Sequence, residues 1–233
     1  GAAIESHALH IFALALPDFL GFDSVMGMAG RYPDEVRFAL RLKQLGNHIQ
    51  TVIGGRAVHP INTLVGGFGR IPSHSVIEGL RRDLATVIEP LMGAIEMVSS
   101  IEVPGWADQS TLFVALRPRE PGFGFRGDLL CTSAGGRYPV ANYRDAVREY
   151  TVEHSHASHA ALESGDTYMV GSLARLKLWG DRFGGRAEQA FHELFAGGVP
   201  DNVLFNTRAQ MVETVFCVES AIESCDALLA LDE

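Results

Sequence analysis

The chain has 233 residues, of which 47% are hydrophobic and 20% are charged, and its formal net charge is −9. This length and apolar content predict a folded chain with a sizeable core, and they exclude extended disorder. The charges are scattered and acidic on balance. That argues against nucleic acid as a partner, because nucleic-acid-binding proteins usually present a basic face.

Cysteine usage and the apolar segments predict the compartment. The chain contains three cysteines, Cys131, Cys217 and Cys225. None belongs to a CxxC pair, which indicates a reducing compartment rather than a disulfide scaffold. Glu5, His7 and His10 interrupt the apolar start, so no signal peptide is expected. No stretch reaches the roughly 20 apolar residues that span a bilayer. A cytoplasmic protein without a membrane segment is expected.

Helical periodicity dominates the first hundred residues. Residues 3–16 are predicted to form a helix that ends before Pro17. A second helix is predicted over 34–53 and a third over 73–97, each with apolar residues three or four apart. Ser73 is the predicted N-cap of the third helix. Residues 1–100 are therefore expected to be helical.

The pattern changes between residues 101 and 140. The nearly continuous apolar segment TLFVALR (111–117) predicts a buried strand. GDLLCTS and GRYPV flank AGG, which is typical of a hairpin turn. Pro139 places the second hairpin strand at a sheet edge. These features predict a small antiparallel β insertion over 101–140.

The remaining residues are predicted to be helical again, over 141–233. Asn142 is a suitable cap for a helix over 143–152. Residues 167–179 are predicted to begin as extended chain and continue as a short helix. Two further helices are predicted, at 186–196 and 207–230. The expected fold is therefore mainly α, a bundle-like core with one β insertion, forming a single domain over 1–233.

The histidine-rich segment HSHASH is the most obvious candidate for metal binding. His156 and His159 are three residues apart and share a face if the segment is helical. Only Glu153 and Glu163 lie near enough in sequence to add ligands, whereas zinc sites need three or four convergent groups. A solvated surface segment is the favoured interpretation. A histidine-based metal module that includes His154 stays as a weak alternative.

The segment GGRAVHPINTLVGGFGRIP (54–72) is rich in glycine and contains two prolines, so it is neither ordinary helix nor strand. It does not have the spacing of a dinucleotide-binding or phosphate-binding loop, and no GxSxG motif occurs in the chain. The residues alone therefore predict a structured loop and no complete active site.

Three blocks, in this order along the chain, resemble the large subunit of nickel–iron hydrogenases. They are ESHALHIFALALPDFLG, RFALRLKQLGNHIQTVIGGRAVHPINTLVGGFGRIP and VEHSHASHAALESGDTYMVGSLARLKL. The resemblance is greatest to the cytosolic, cofactor-coupled branch, and it is weaker in the β insertion and the last helix. It implies an oxidoreductase of hydrogen metabolism, with the helical core of that subunit as its fold.

The metal ligands of that family are missing from this chain. The family holds nickel and iron with four cysteines in RxCGxC and DPCxxC motifs, and neither motif occurs here. Soft thiolate ligands are what such a centre requires. The resemblance therefore implies a middle segment of a large subunit that binds no nickel–iron centre and is inactive alone. A non-enzymatic scaffold paralogue remains the alternative.

The resemblance also suggests roles for particular residues. Ser6, His7 and His10 lie on a helix that in the family runs near the active-site cavity, where they would support the site without ligating metal. His59 would face the small subunit with its iron–sulfur clusters.

Arg56 and Arg70 would flank that surface, where a guanidinium can pair with a partner carboxylate. Stabilisation of the loop is the alternative role for Arg56, His59 and Arg70. The expected partners are the small subunit, with its iron–sulfur clusters, and cofactor-reducing subunits. Exposed apolar surface also predicts self-association of the isolated chain.

Overall fold

The computed structural model describes residues 1–119 and 126–231, and it divides into two compact units. Unit 1 contains residues 1–102 and 210–233, and unit 2 contains residues 103–209. The prediction of a single domain over 1–233 stays a prediction.

Unit 1 begins with a continuous run of helix whose middle part is widened. The run comprises α1 (Ala2–Ala8), a π-helical segment (Leu9–Ala15) and α2 (Leu16–Phe19). The predicted end at residue 16 is wrong, because Pro17 lies in the first turn of α2, where its ring is compatible with helical backbone. A short helix, α3 (Val25–Ala29), follows.

Two long helices form most of the core of unit 1. They are α4 (Pro33–Gly54) and α5 (His74–Ser100), which confirms both predicted helices. Residues three and four apart along α5 are almost fully buried, from Ile77 to Val98. Ser73 occupies the predicted N-cap position, but its hydroxyl lies 3.1 Å from Ser75 Oγ and caps no backbone amide.

Unit 2 contains a four-stranded sheet in the order β5-β4-β3-β8. Its strands are β3 (Leu112–Leu116), β4 (Leu129–Thr132), β5 (Arg137–Pro139) and β8 (Tyr168–Met169). The buried strand, the hairpin and the edge position of Pro139 are confirmed. The sheet is not wholly antiparallel as predicted, because Leu112 of β3 pairs in parallel register with Tyr168.

Another hairpin replaces the helix predicted over 143–152. Its strands are β6 (Val147–Val152) and β7 (Ser155–Leu162), and they pair antiparallel. Asn142 lies inside a 3-10 segment, Val140–Asp145, and caps no longer helix. The sequence VREYTV is rich in β-branched and aromatic residues, so pairing with the next strand overrides the local cap signal. The prediction that 141–233 is all helical is therefore wrong.

The other predicted helices of the second half are present. They are α6 (Ser172–Trp179), α7 (Gly185–Leu194) and α8 (Asn206–Leu229). The extended start at 167–179 is confirmed by β8, which precedes α6. The mainly α fold is thus confirmed, with strands that continue past residue 140. Within the described ranges, every helix is too short or too polar to cross a membrane.

Candidate functional site

The residues singled out on the first helix of unit 1 have different environments. Ser6 is exposed, and its hydroxyl donates to the carbonyl oxygen of Ala3 at 3.3 Å. His7, one residue further on, is 8% exposed and points into the core. His10 lies at the beginning of the π-helical segment, and its Nδ1 atom is buried. Their roles near an active site stay predictions.

His7 contacts a carboxylate that sequence reasoning missed. Its Nε2 atom lies 3.0 Å from Oε2 of Glu213, which is fully buried on α8. A buried carboxylate is stable only when it is paired or hydrogen-bonded. Glu213 lies between the buried Val212 and Thr214, so a charged residue in an apolar stripe is the signal that would have found it.

The same two helical segments carry two further buried polar atoms. In the described part of the chain, His10 Nδ1 and Gln210 Oε1 make no hydrogen bond within the protein. Each lies three residues, about one helical turn, from a member of the His7–Glu213 pair. Buried polar atoms of this kind usually bind ordered water.

The glycine-rich segment forms a well-defined loop between α4 and α5. It contains a tight two-stranded ribbon, β1 (Thr63–Leu64) and β2 (Gly67–Phe68). The chain leaves α4 through Gly55, whose φ of +86° is left-handed and favours glycine. His59 also has a left-handed φ, +55°, which is uncommon outside glycine, and its side chain is exposed.

Arg56 fixes the first half of this loop. Its Nε atom donates to the carbonyl oxygens of Val58 at 2.8 Å and of His59 at 2.7 Å. The structure therefore supports the loop-stabilising role for Arg56, while a contact of its remaining guanidinium nitrogens with a partner stays a prediction. Arg70 is exposed, and its backbone amide donates to Oδ1 of Asn62 at 2.8 Å.

Asn62 fixes the second half of the loop, and sequence reasoning missed it. Its Nδ2 group donates to the carbonyl oxygens of Ile53 at 2.8 Å and of Arg70 at 2.7 Å. Its own backbone carbonyl accepts from Gly69, and its backbone amide donates to Gly54. This one side chain joins the end of α4 to both sides of the ribbon. An asparagine between two glycine-rich turns is the signal that would have found it.

The loop exposes an unusual number of apolar side chains. We call these six residues the apolar loop face, and each is more than half exposed: Val58, Ile61, Leu64, Val65, Phe68 and Ile71. Single exposed apolar residues are ordinary on protein surfaces, but a contiguous group held on a rigid loop is typical of a protein interface.

The potential metal ligands do not gather into a site in the described part of the chain. His154, His156 and His159 belong to the β6–β7 hairpin, so the helical face proposed for them does not exist. No group of three or more histidine, cysteine or acidic side chains is arranged to hold a metal among residues 1–119 and 126–231.

The cysteines also do not fit a nickel–iron centre. Burial raises the pKa of the Cys131 and Cys225 thiols, which favours the neutral form over the thiolate that such a metal binds. Cys217 and Cys225 lie two helical turns apart on α8, and Cys131 is on β4 of the other unit. The family motifs absent from the sequence are not replaced by a spatial cluster of these three.

The fold defines the class of protein. The structure matches a NAD+-reducing NiFe hydrogenase in its H2-reduced state with a TM-score of 0.83 and 20% identity, over 99% of this chain and 57% of that one. The fold is that of a NiFe hydrogenase large subunit. No model of a protein family matches the sequence.

Relatives in sequence identify the chain more closely. The alpha subunit of sulfhydrogenase 1 from Pyrococcus furiosus is 34% identical over 99% of this chain and 54% of the relative. The vhu F420-non-reducing hydrogenase of Methanocaldococcus jannaschii contains a chain that is 26% identical over 95% of this chain and 58% of the relative. The protein is homologous to part of a hydrogenase alpha, or large, subunit, and it spans about half the length of these relatives.

Proposed function

We propose that this chain forms part of the catalytic large subunit of a nickel–iron hydrogenase, an enzyme that reversibly oxidises H2 to protons and electrons. The observation that carries the proposal is the 34% identity to the alpha subunit of a sulfhydrogenase over 99% of the chain. The activity is assigned to the whole protein, because this chain corresponds to about half of its relatives.

Within that protein, we assign the nickel–iron centre to residues outside this chain. The buried, neutral thiols and the scattered histidines described above support this assignment. The chain then contributes scaffold and surface, and the 233 residues alone turn over no H2. Three free cysteines also support our assignment of the protein to the cytoplasm.

An assay of the whole protein tests the activity. We expect the complete subunit, purified with its partner subunits, to contain nickel and to reduce a viologen dye under H2. The 233-residue chain, purified in the same way, should do neither. A complete protein that binds its partners without nickel or H2-dependent dye reduction would instead support the non-enzymatic scaffold.

The apolar loop face is the surface that we propose for docking. Its proposed occupant is the small subunit that carries iron–sulfur clusters, and the description of two relatives as alpha subunits supports a multi-subunit assembly. Arg56 and Asn62 hold the loop in place by side-chain hydrogen bonds, so little order has to be gained on binding. Cofactor-reducing subunits would complete the assembly.

A charge in the apolar loop face should weaken docking. We expect Phe68→Asp to reduce the affinity for the small subunit by about thirtyfold, since central apolar contacts of an interface are worth about 2 kcal/mol. Titration calorimetry or quantitative co-purification measures the change.

Met26→Asp is the matched control, because Met26 is a 79% exposed apolar residue on α3, away from the loop. It should leave the affinity unchanged. Equal affinities for the two variants would show that the loop does not bind the small subunit.

A further inference from the structure

The His7–Glu213 pair combines two properties that suit proton transfer. The Glu213 side chain is fully buried, whereas 11% of the His7 side chain remains exposed. Of the two, the histidine is therefore the member in contact with solvent. An imidazole can accept a proton on one ring nitrogen and release another from the opposite nitrogen. Here the Nε2 atom faces the carboxylate at 3.0 Å, within hydrogen-bonding distance.

Polar atoms continue beyond this pair along the same two helical segments. The buried amine of Gly1 lies near enough to Cys217 to sense its charge, while His7 contacts Glu213. Residue numbers thus rise along α1 as they fall along α8, so the segments are antiparallel. This register directs His10 toward Gln210, and each carries a buried polar atom without a hydrogen-bond partner in the described chain.

The backbone is irregular at the same place. The π-helical segment begins at Leu9, two residues after His7, and it includes His10. π-Helical turns are rare and occur frequently at functional sites. A pair that served stability alone would require neither the irregular turn nor the two unsatisfied atoms, and apolar residues of similar volume stabilise a core at least as well.

We propose that His7 relays protons between solvent and the buried Glu213 carboxylate. Water donates a proton to Nδ1 of His7, and the N–H bond at Nε2 breaks as its proton moves to Oε2 of Glu213. The ring is left neutral as the other tautomer, and Glu213 becomes a neutral carboxylic acid. Water held by His10 Nδ1 and Gln210 Oε1 extends the route. The biological use rests on the proposed function, because H2 oxidation releases protons that must leave the protein.

Time-resolved infrared spectroscopy of the 233-residue chain tests the relay without any metal. A flash releases protons from the photoacid pyranine, and the carboxylic acid band of Glu213 is assigned by its loss in Glu213→Gln. We expect His7→Gln to slow the appearance of this band by about a hundredfold, the usual contribution of a positioned acid–base group. Glutamine keeps an amide donor near Glu213 but cannot relay a proton.

A histidine–glutamate pair on the surface provides the matched control. His192 and Glu188 are 3.8 Å apart and mostly exposed on α7, so His192→Gln should not change the rate. Added imidazole should restore the rate in His7→Ala, which a purely structural role would not predict.

The wild-type protein gives a further test that does not depend on the folding of a variant. The band should appear more slowly in D2O than in H2O. An equal rate in His7→Gln and the wild type, equal rates in D2O and H2O, or no Glu213 band in the wild type would each overturn the relay. Because this measurement needs no nickel, it is independent of whether the whole protein oxidises H2.

Discussion

Replacement of His7 by leucine is expected to lower the free energy of unfolding by about 3–5 kcal/mol. Leucine fills much of the imidazole volume, but it removes the hydrogen-bonded partner of a carboxylate that is fully buried. An incompletely paired buried charge is among the few single changes with so large an effect. Urea denaturation followed by circular dichroism measures it.

The double variant His7→Leu with Glu213→Leu separates the pair from simple packing. Removal of both polar groups should recover most of the loss, because an apolar pair of similar size avoids the desolvation of two charges. His192→Leu is the matched surface control and should leave stability unchanged, since its partner Glu188 is also exposed. If His7→Leu unfolded at the same urea concentration as His192→Leu, the buried pair would have no structural weight.

Local patterns predict the long helices of this protein well. The stripe along α5 and the periodicity of α8 extend over many turns, so helix type and approximate bounds are determined within one segment. Residues 147–152 contain no such repeat. Their structure depends on pairing with residues 155–162, so a cap signal at Asn142 is misleading.

The candidate site shows a similar division. His7 stands out in the sequence because it lies in a block that resembles a known family, but Glu213 is 206 residues away and only folding brings it within 3.0 Å. Asn62 escapes notice for another reason. Its importance comes from three side-chain hydrogen bonds to a loop backbone, and the backbone path cannot be read from composition.

The contact between α1 and α4 depends on a residue with no side chain. A Cβ atom at Gly46 would lie 2.7 Å from the backbone nitrogen of Glu5 and 2.8 Å from the carbonyl oxygen of Gly1. These are backbone atoms, so no rotamer change relieves the overlap. We expect Gly46→Ala to lower the free energy of unfolding by about 3 kcal/mol, the upper part of the range for overpacking.

A second helical glycine separates this steric effect from helix propensity. Gly93 lies within α5 and is exposed, and the position that a Cβ atom would occupy has no neighbouring atom within 4 Å. Gly93→Ala should therefore raise stability by about 0.5–1 kcal/mol. The same substitution thus has opposite signs at the two sites, as measured by denaturation of both variants. Stabilisation by Gly46→Ala would mean that α1 does not approach α4 this closely, and the placement of His7 against Glu213 would then also need revision, because α1 carries His7.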